Sequence, residues 1–461
     1  MKKTLLTIIF LCSLMIAPNI LNAQTSGWQQ LFNGENLEGW TQLNGEAEYR
    51  VEGNAIVGRA VPDTPNSFLT TDKYYGDFIL EFEVYMDTQM NSGVQIRSHS
   101  ISSYRDGRVH GYQVELDPSP RGWSGGIYDE ARRGWIYPLS GNEKARNALQ
   151  LGQWNTVRIE AIGSTINTWI NGEQSARLVD DMTAEGFIGL QVHSIQDESL
   201  MGAEVKWRNL RIMTNNLEQH RRISDPQVRE ISYLKNQLTD WEKSHGWQLL
   251  WDGQTSTGWR GANLDHFPNG GWTMDDGVLT IQSTDGGEAT GPGDIVTTGL
   301  FSDFELVLEF MITEGANSGI KYFVDPELNQ GPGSAIGNEF QILDDQRHPD
   351  AKMGVAGNRT VGSLYDLIAA TNLEYPERGK TFNGVGEWNK ARILSKDGHV
   401  EHWLNNVKVV EYDRYSQMFA ALVAYSKYQR WEDFGRWPQG HILLQDHGNE
   451  VHFRSIKVRN L

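Results

Sequence analysis

Apolar and polar residues alternate with a period of two along much of this chain. Phe78, Leu80, Phe82 and Val84 share one side while Glu81 and Glu83 take the other, and Leu306, Leu308 and Phe310 stand in the same way against Glu305 and Glu309. That alternation predicts half-buried antiparallel strands. Asn33-Gly34, Asn171-Gly172, Asp252-Gly253 and Asp276-Gly277 supply the positive φ that tight hairpins require. Many short strands, evenly punctuated and without a helical run in either half, predict two-sheet jelly rolls. The period changes once: Val228, Ile231, Leu234, Leu238 and Trp241 recur every three or four positions after Asp225 and Pro226, which predicts one amphipathic helix over 224–244.

The strand pattern is written twice. "GWQQLFNGENLEGW" (27–40) returns as "GWQLLWDGQTSTGW" (246–259), "GQWNTVRI" (152–159) as "GEWNKARI" (386–393), and "EVKWRNLRI" (204–212) as "EVHFRSIKV" (450–458). Matched blocks in one order identify a tandem duplication. The expected organisation is a signal peptide at 1–23, a first jelly roll at 24–214, a helical linker at 215–245 and a second jelly roll at 246–461.

The N-terminus predicts export. Lys2 and Lys3 precede an apolar run from Leu5 to Ala17, with Ala23 before a plausible cut, the pattern of a secretory signal peptide. No later stretch has the roughly 20 apolar residues of a spanning helix, so membrane insertion is not expected. Periplasm and cell surface are not distinguished. The single cysteine, Cys12, lies inside the apolar run after Leu11, which argues against lipid anchoring and leaves the mature chain without disulfides. A formal charge of −18 opposes binding to nucleic acid or anionic lipid. Sixteen tryptophans suit a sugar-binding protein, whose rings stack on axial C–H faces, although a core position is commoner for Trp.

Candidate chemistry collects on polar strand faces. "GFIGLQVHS" (186–194) and "GHILLQDHG" (440–448) each set Gln and His two positions apart, so Gln191 pairs with His193 and Gln445 with His447 on one face. Either pair alone reads as a solvated outer face. The second copy adds Glu339 and Gln341 on "NEFQILDD", Lys321 on "SGIKYFV" and His402 on "VEHWLNN", together a polar groove fit for a sugar. Its loops are also longer, carrying His348, Arg359, Ser363 and Tyr365 in one and Ser426, Lys427, Tyr428, Trp431, Phe434 and Arg436 in another. The second copy is therefore the expected catalytic or tighter-binding one.

The blocks "NSGIKYFV", "EFQILDD", "RHPDAKMG", "GNRTVGSLYDLI", "GEWNKARI", "YSKYQRWEDFG" and "GHILLQDHG" make residues 246–461 resemble the 3-keto-disaccharide hydrolase domain family, formerly a domain of unknown function. The first copy resembles a shorter branch through "NSGVQIR", "WINGE" and "GFIGLQVHS". It departs where Gln113 and Glu115 answer Glu339 and Gln341, and where Gln95 answers Lys321, which points to a binding or supporting role. The resemblance implies a concanavalin A-like all-β fold, here as two tandem jelly-roll sandwiches. It also implies cleavage of glycosides whose C3 hydroxyl a separate sugar 3-dehydrogenase has oxidised. A C3 ketone acidifies the C2 hydrogen; a base removes it, the C1 substituent leaves, and water adds to the enone. Glu339 or His447 is the candidate base, and Lys321, Arg359 or a metal the candidate enolate stabiliser. Gln341, Asp344, His348, Arg359, Tyr365, His402, Lys427, Trp431 and Gln445 are the expected substrate-binding residues. The residues assign no definite cofactor; a divalent metal on Glu339, His402 and His447 is one reading, and a His402 hydrogen-bonded beneath the groove is the other.

Three rival functions are weighed against this one. A retaining glucanase places two carboxylates roughly 5 to 5.5 Å apart, and neither copy has a Glu-x-Asp-x-Glu strand, "ELDP" being the nearest. A non-enzymatic pair of lectin-like domains shares the architecture but does not require the long loops of the second copy. A structural subunit would expose a large apolar patch that the alternation does not show. Glycoside, linkage and oligomeric state are not legible.

Overall fold

The computed structural model describes residues 27–284, 293–329 and 333–461. The expected signal peptide, Cys12 included, lies outside them. Each copy is a sandwich of two antiparallel sheets. In the first, a nine-stranded sheet is centred on Phe78–Met86, flanked by Trp154–Ile162 and Glu204–Met213. It packs on a seven-stranded sheet centred on Ser92–Ser100, flanked by Val109–Leu116 and Phe187–Val192. The second copy repeats the plan. Phe304–Ile312 lies between Asn389–Lys396 and Val451–Asn460 in an eight-stranded sheet, and Asn317–Asp325 lies between Ile336–Leu343 and His441–Leu444 in a five-stranded one.

The period-two pattern explains the layers. Leu80, Phe82 and Val84 join one core with Val94, Ile96, Val114 and Leu190, contributed by the opposite sheet. Leu306, Leu308 and Phe310 join the other with Ile320, Phe340 and Leu444. Each such side chain, taken fully out of water, contributes about 1.5–3 kcal/mol. Both copies also carry the same irregularity in the central strand of the smaller sheet: pairing shifts between Ile96 and His99 and between Tyr322 and Asp325. Arg97 and Phe323, one residue beyond, take positive φ values of 47° and 52°. The strand bends there without losing its pairing further on.

The segment between the copies differs from expectation. The helix spans only Asp240–Ser244, closed by a capping box of Thr239 and Glu242. Further upstream, Ile231–Ser232 is a strand that adds in parallel to Leu178 and Val179. Val228 and Ile231 are buried as the apolar spacing demands, but against a sheet edge whose open hydrogen-bonding groups outcompete the helix. A second difference is the helix Gln417–Ala424 inside the long loop of the second copy, where none is expected. A third concerns Glu305 and Glu309, which are buried: the linker covers that face, bringing Arg229 to 3.2 Å from Glu305. Burial alone pushes the Glu305 carboxyl upward, but Arg229, Arg392 and Arg459 hold it down to about 2. Among the described residues no helix is long and apolar enough to cross a membrane.

Candidate functional site

The glycine of the repeated Asn-Ser-Gly block prepares the floor of each cleft. Lys321 lies opposite Glu339 across the strand pair, and Gly319 opposite Gln341. A methyl group on Gly319 would sit 2.3 Å from Glu339 Oε1, so only glycine lets that carboxylate lie across the neighbouring strand. Gly93 stands in the same relation to Gln113, at 2.6 Å from its Cδ. The twin strands complete each floor. Gln191 is the register partner of Gly93, and the Gln445 amide N–H donates to the Gly319 carbonyl at 3.0 Å.

In the second copy these positions open into a cleft of about 250 Å³. Lys321, Glu339, Gln341, Tyr365, Lys427, Trp431, Gln445 and His447, all expected from the sequence, line it together with Asn317 and Ser334. Lys321 Nζ is 3.7 Å from Glu339 Oε2, and both side chains are almost completely buried. The ammonium also donates to Ser334 Oγ and, at 3.2 Å, to the Ala335 carbonyl. Ser334 Oγ in turn donates to Asp294. Burial raises the Asp294 carboxyl, against the opposing pull of Lys321. Asp294 and Ser334 were not legible as site residues: they come from separate strand ends and have no repeated motif. Three buried polar atoms on the floor, Asn317 Oδ1, Gln341 Nε2 and Gln445 Oε1, have no partner among the described residues. Such atoms cost stability unless a ligand or water satisfies them.

The walls are held by ion pairs. Arg359 bridges Asp350 at 2.8 Å and Asp366 at 2.7 Å, and the Tyr365 hydroxyl donates to Asp350 at 2.7 Å. Lys427 Nζ lies 4.2 Å from the Tyr365 ring centre. Trp431 donates its indole N–H to the Leu328 carbonyl at 3.4 Å and carries Arg430 on one face at 3.9 Å. His348 stands beside His447, ring centres 5.9 Å apart; burial first, and then His447, lowers its affinity for a proton.

Four expected residues do not line the cleft: His348, which stands beside His447 without reaching it, and three that lie elsewhere. Arg359 braces the loop that presents Tyr365 and does not line the cleft. Asp344 caps a turn, accepting from the backbone amides of Gly315 at 2.9 Å and Gln346 at 3.1 Å. His402 is in the core between the sheets, fully buried, with Nδ1 donating to the Gly362 carbonyl at 3.0 Å and Nε2 2.7 Å from the Tyr322 hydroxyl. A carbonyl only accepts, so Nδ1 carries the proton and Nε2 accepts from Tyr322. Burial pushes the His402 pKa down to about 4. The metal set Glu339, His402 and His447 therefore does not assemble. Among the described residues one other trio, His399, Glu401 and Glu411, comes within ligand distance, and Lys408 Nζ already bonds to both of its glutamates.

In the first copy the charged pair is gone. Gln95 Nε2 donates to Gln113 Oε1 at 2.7 Å, and Gln113 Nε2 to Glu115 Oε2 at 2.8 Å. The floor glutamate has moved to the position of Gln341, where burial pushes its carboxyl up to about 7 against the amides of Asn91 and Gln113.

Both copies carry the sequence pattern of the 3-keto-alpha-glucoside-1,2-lyase-like domain, at residues 27–213 and 246–459. The chain belongs to this family. A 3-keto-disaccharide hydrolase of Bacteroides thetaiotaomicron (strain VPI-5482) is 35% identical over 240 residues, which cover 47% of this chain and 79% of that protein. A crystal structure from Parabacteroides distasonis ATCC 8503, described as a candidate glycosyl hydrolase, is 30% identical with a TM-score of 0.42, covering 49% of this chain and 99% of that one. A second from the same organism, similarly described, is 25% identical with a TM-score of 0.32, covering 44% and 99%.

Proposed function

We propose that the second copy cleaves glycosides carrying a ketone at C3, in the exported mature protein, after a separate sugar 3-dehydrogenase has made the ketone. The observation that carries this reading is the buried Lys321–Glu339 pair, 3.7 Å apart, in a cleft that His447 also lines. Glu339 takes the C2 proton. Lys321, fixed by Ser334 and Ala335, stabilises the negative charge that develops on the C3 oxygen, a role for a preorganised cation in a water-poor site. The C2 electron pair forms the C1–C2 double bond as the C1–O bond breaks, and His447 supplies the proton that the departing oxygen needs. Water then adds at C1 of the enone and C2 regains a proton, so the net reaction is hydrolysis. The free amide atoms of Gln341 and Gln445 hold ring hydroxyls, and Tyr365 and Trp431 offer apolar walls.

Support also comes from the family and from the 3-keto-disaccharide hydrolase relative. Aglycone release from a chromophoric 3-keto glucoside tests the assignment. Glu339→Gln is expected to lose roughly 10²- to 10⁴-fold in rate, and His447→Ala a similar amount, with thermal stability kept. Gln113→Ala, in the other copy, is expected to change the rate by less than about threefold. Full activity in both second-copy variants would displace the chemistry from this cleft.

A further inference from the structure

A larger cavity lies in the first copy, about 910 Å³, within the size range of sites that enclose a small-molecule ligand. Gln191 on its floor is fully buried, yet neither its amide nitrogen nor its amide oxygen has a partner among the described residues. A buried primary amide left open at both ends calls for a group that both accepts and donates, as a hydroxyl does. Around it, Gln95, Gln113 and Glu115 form an ordered hydrogen-bonded row, with Asn91 donating to Glu115 at 2.5 Å. One wall is aromatic: Trp135 stands edge to face with Trp123 at 4.7 Å and carries Arg121 at 4.8 Å.

The second copy supplies part of the rim. Glu374 accepts from Arg146 at 2.6 Å and from Ser140 at 2.6 Å, and Tyr375 packs edge-on against Trp123 at 6.0 Å. This anchored segment places Arg378 at the mouth of the first-copy cavity. The lining carries four arginines and four carboxyl side chains, a balance that favours neither an anionic nor a cationic ligand.

We propose that this cavity is a second, non-hydrolytic site that binds a neutral pyranoside with its hydroxyls intact, and that Arg378 of the second copy completes it. The base and cation of the catalytic cleft are replaced here by Gln113 and Gln95, groups that pair with hydroxyls and carry out no proton abstraction. A sugar held in this site would raise the local concentration of linked residues at the other cleft. That the ligand is a sugar rests on the carbohydrate reading above; that a site exists rests on the cavity and its open amide.

Isothermal titration of the full mature chain with methyl α-D-glucopyranoside and maltose tests this, in the wild type and in Glu339→Gln. Saturable binding is expected in both. Gln191→Leu and Arg378→Ala should each weaken it by about tenfold; Arg378 is exposed, so its variant keeps the fold even if the buried substitution does not. Absence of binding in the wild type, or an isotherm unchanged in Arg378→Ala, would overturn the proposal. Turnover of the 3-keto glucoside is read separately. Turnover without neutral-sugar binding would sink this inference and leave the catalytic reading standing, and binding without turnover would do the reverse.

Discussion

Single residues decide how the two clefts differ, and two of them allow sharp tests. Gly319 holds Glu339 in place by having no side chain, since a Cβ would stand 2.3 Å from the carboxylate. Gly319→Ala is expected to cut 3-keto glucoside turnover roughly 10²-fold while the protein still folds, a displacement of the base that rates and a melting curve together would register. His402 is the opposite case, a core group with no route to substrate. Its folded pKa of about 4 lies below the ordinary value of 6.5, so the unfolded chain binds the proton more tightly. Stability from this residue is present above about pH 6.5 and is lost as pH falls toward 4, by ~3 kcal/mol at most. Urea unfolding at pH 7 and pH 4.5 should show that loss in the wild type and a smaller one in His402→Gln. The location of His402 was half legible. Period two correctly groups it with Leu404, and a leucine neighbour marks the inward face; but alternation alone does not say which face of a strand holds the groove.

At the scale of elements, the strands were readable because burial imposes a period the sequence cannot hide, as at Phe78–Met86 and Phe304–Ile312. The linker was not. Its spacing of three and four fits a helix, yet Ile231 pairs with Leu178 because an open sheet edge lies within reach, a non-local fact that no window of sequence contains. The short helix that does form has a definite task. Glu242, inside its capping box, bonds Lys457 Nζ at 2.9 Å, and both side chains are nearly buried. Glu242→Ala leaves that ammonium buried and unpaired, with an expected loss of about 3–5 kcal/mol on urea unfolding. A loss under 1 kcal/mol would show that the linker helix is not anchored there. The Asp294–Ser334–Lys321 chain escaped the sequence for the same reason as the linker: Asp294 and Ser334, each just ahead of a strand, meet Lys321 in the middle of Asn317–Asp325 only when the sheet is assembled.

For the molecule as a whole, the two copies share a plan and differ at the floor of the cleft. Both copies kept the Asn-Ser-Gly floor and the Gln-x-His strand, but the Lys–Glu pair stands in the second alone. The copies also lean on each other, through Arg146–Glu374 directly and through Arg177–Glu230 and Lys457–Glu242 by way of the linker. In the proposed mechanism Glu339, paired with Lys321 at the second cleft, removes the C2 proton of a 3-keto sugar. The most direct measurement is the initial rate of aglycone release from a chromophoric 3-keto glucoside bearing hydrogen or deuterium at C2, with the unoxidised glucoside alongside. Slower release from the deuterated substrate, and none from the unoxidised glucoside, is the predicted result. Equal rates for all three would contradict it, because cleavage would then proceed without breaking the C2–H bond.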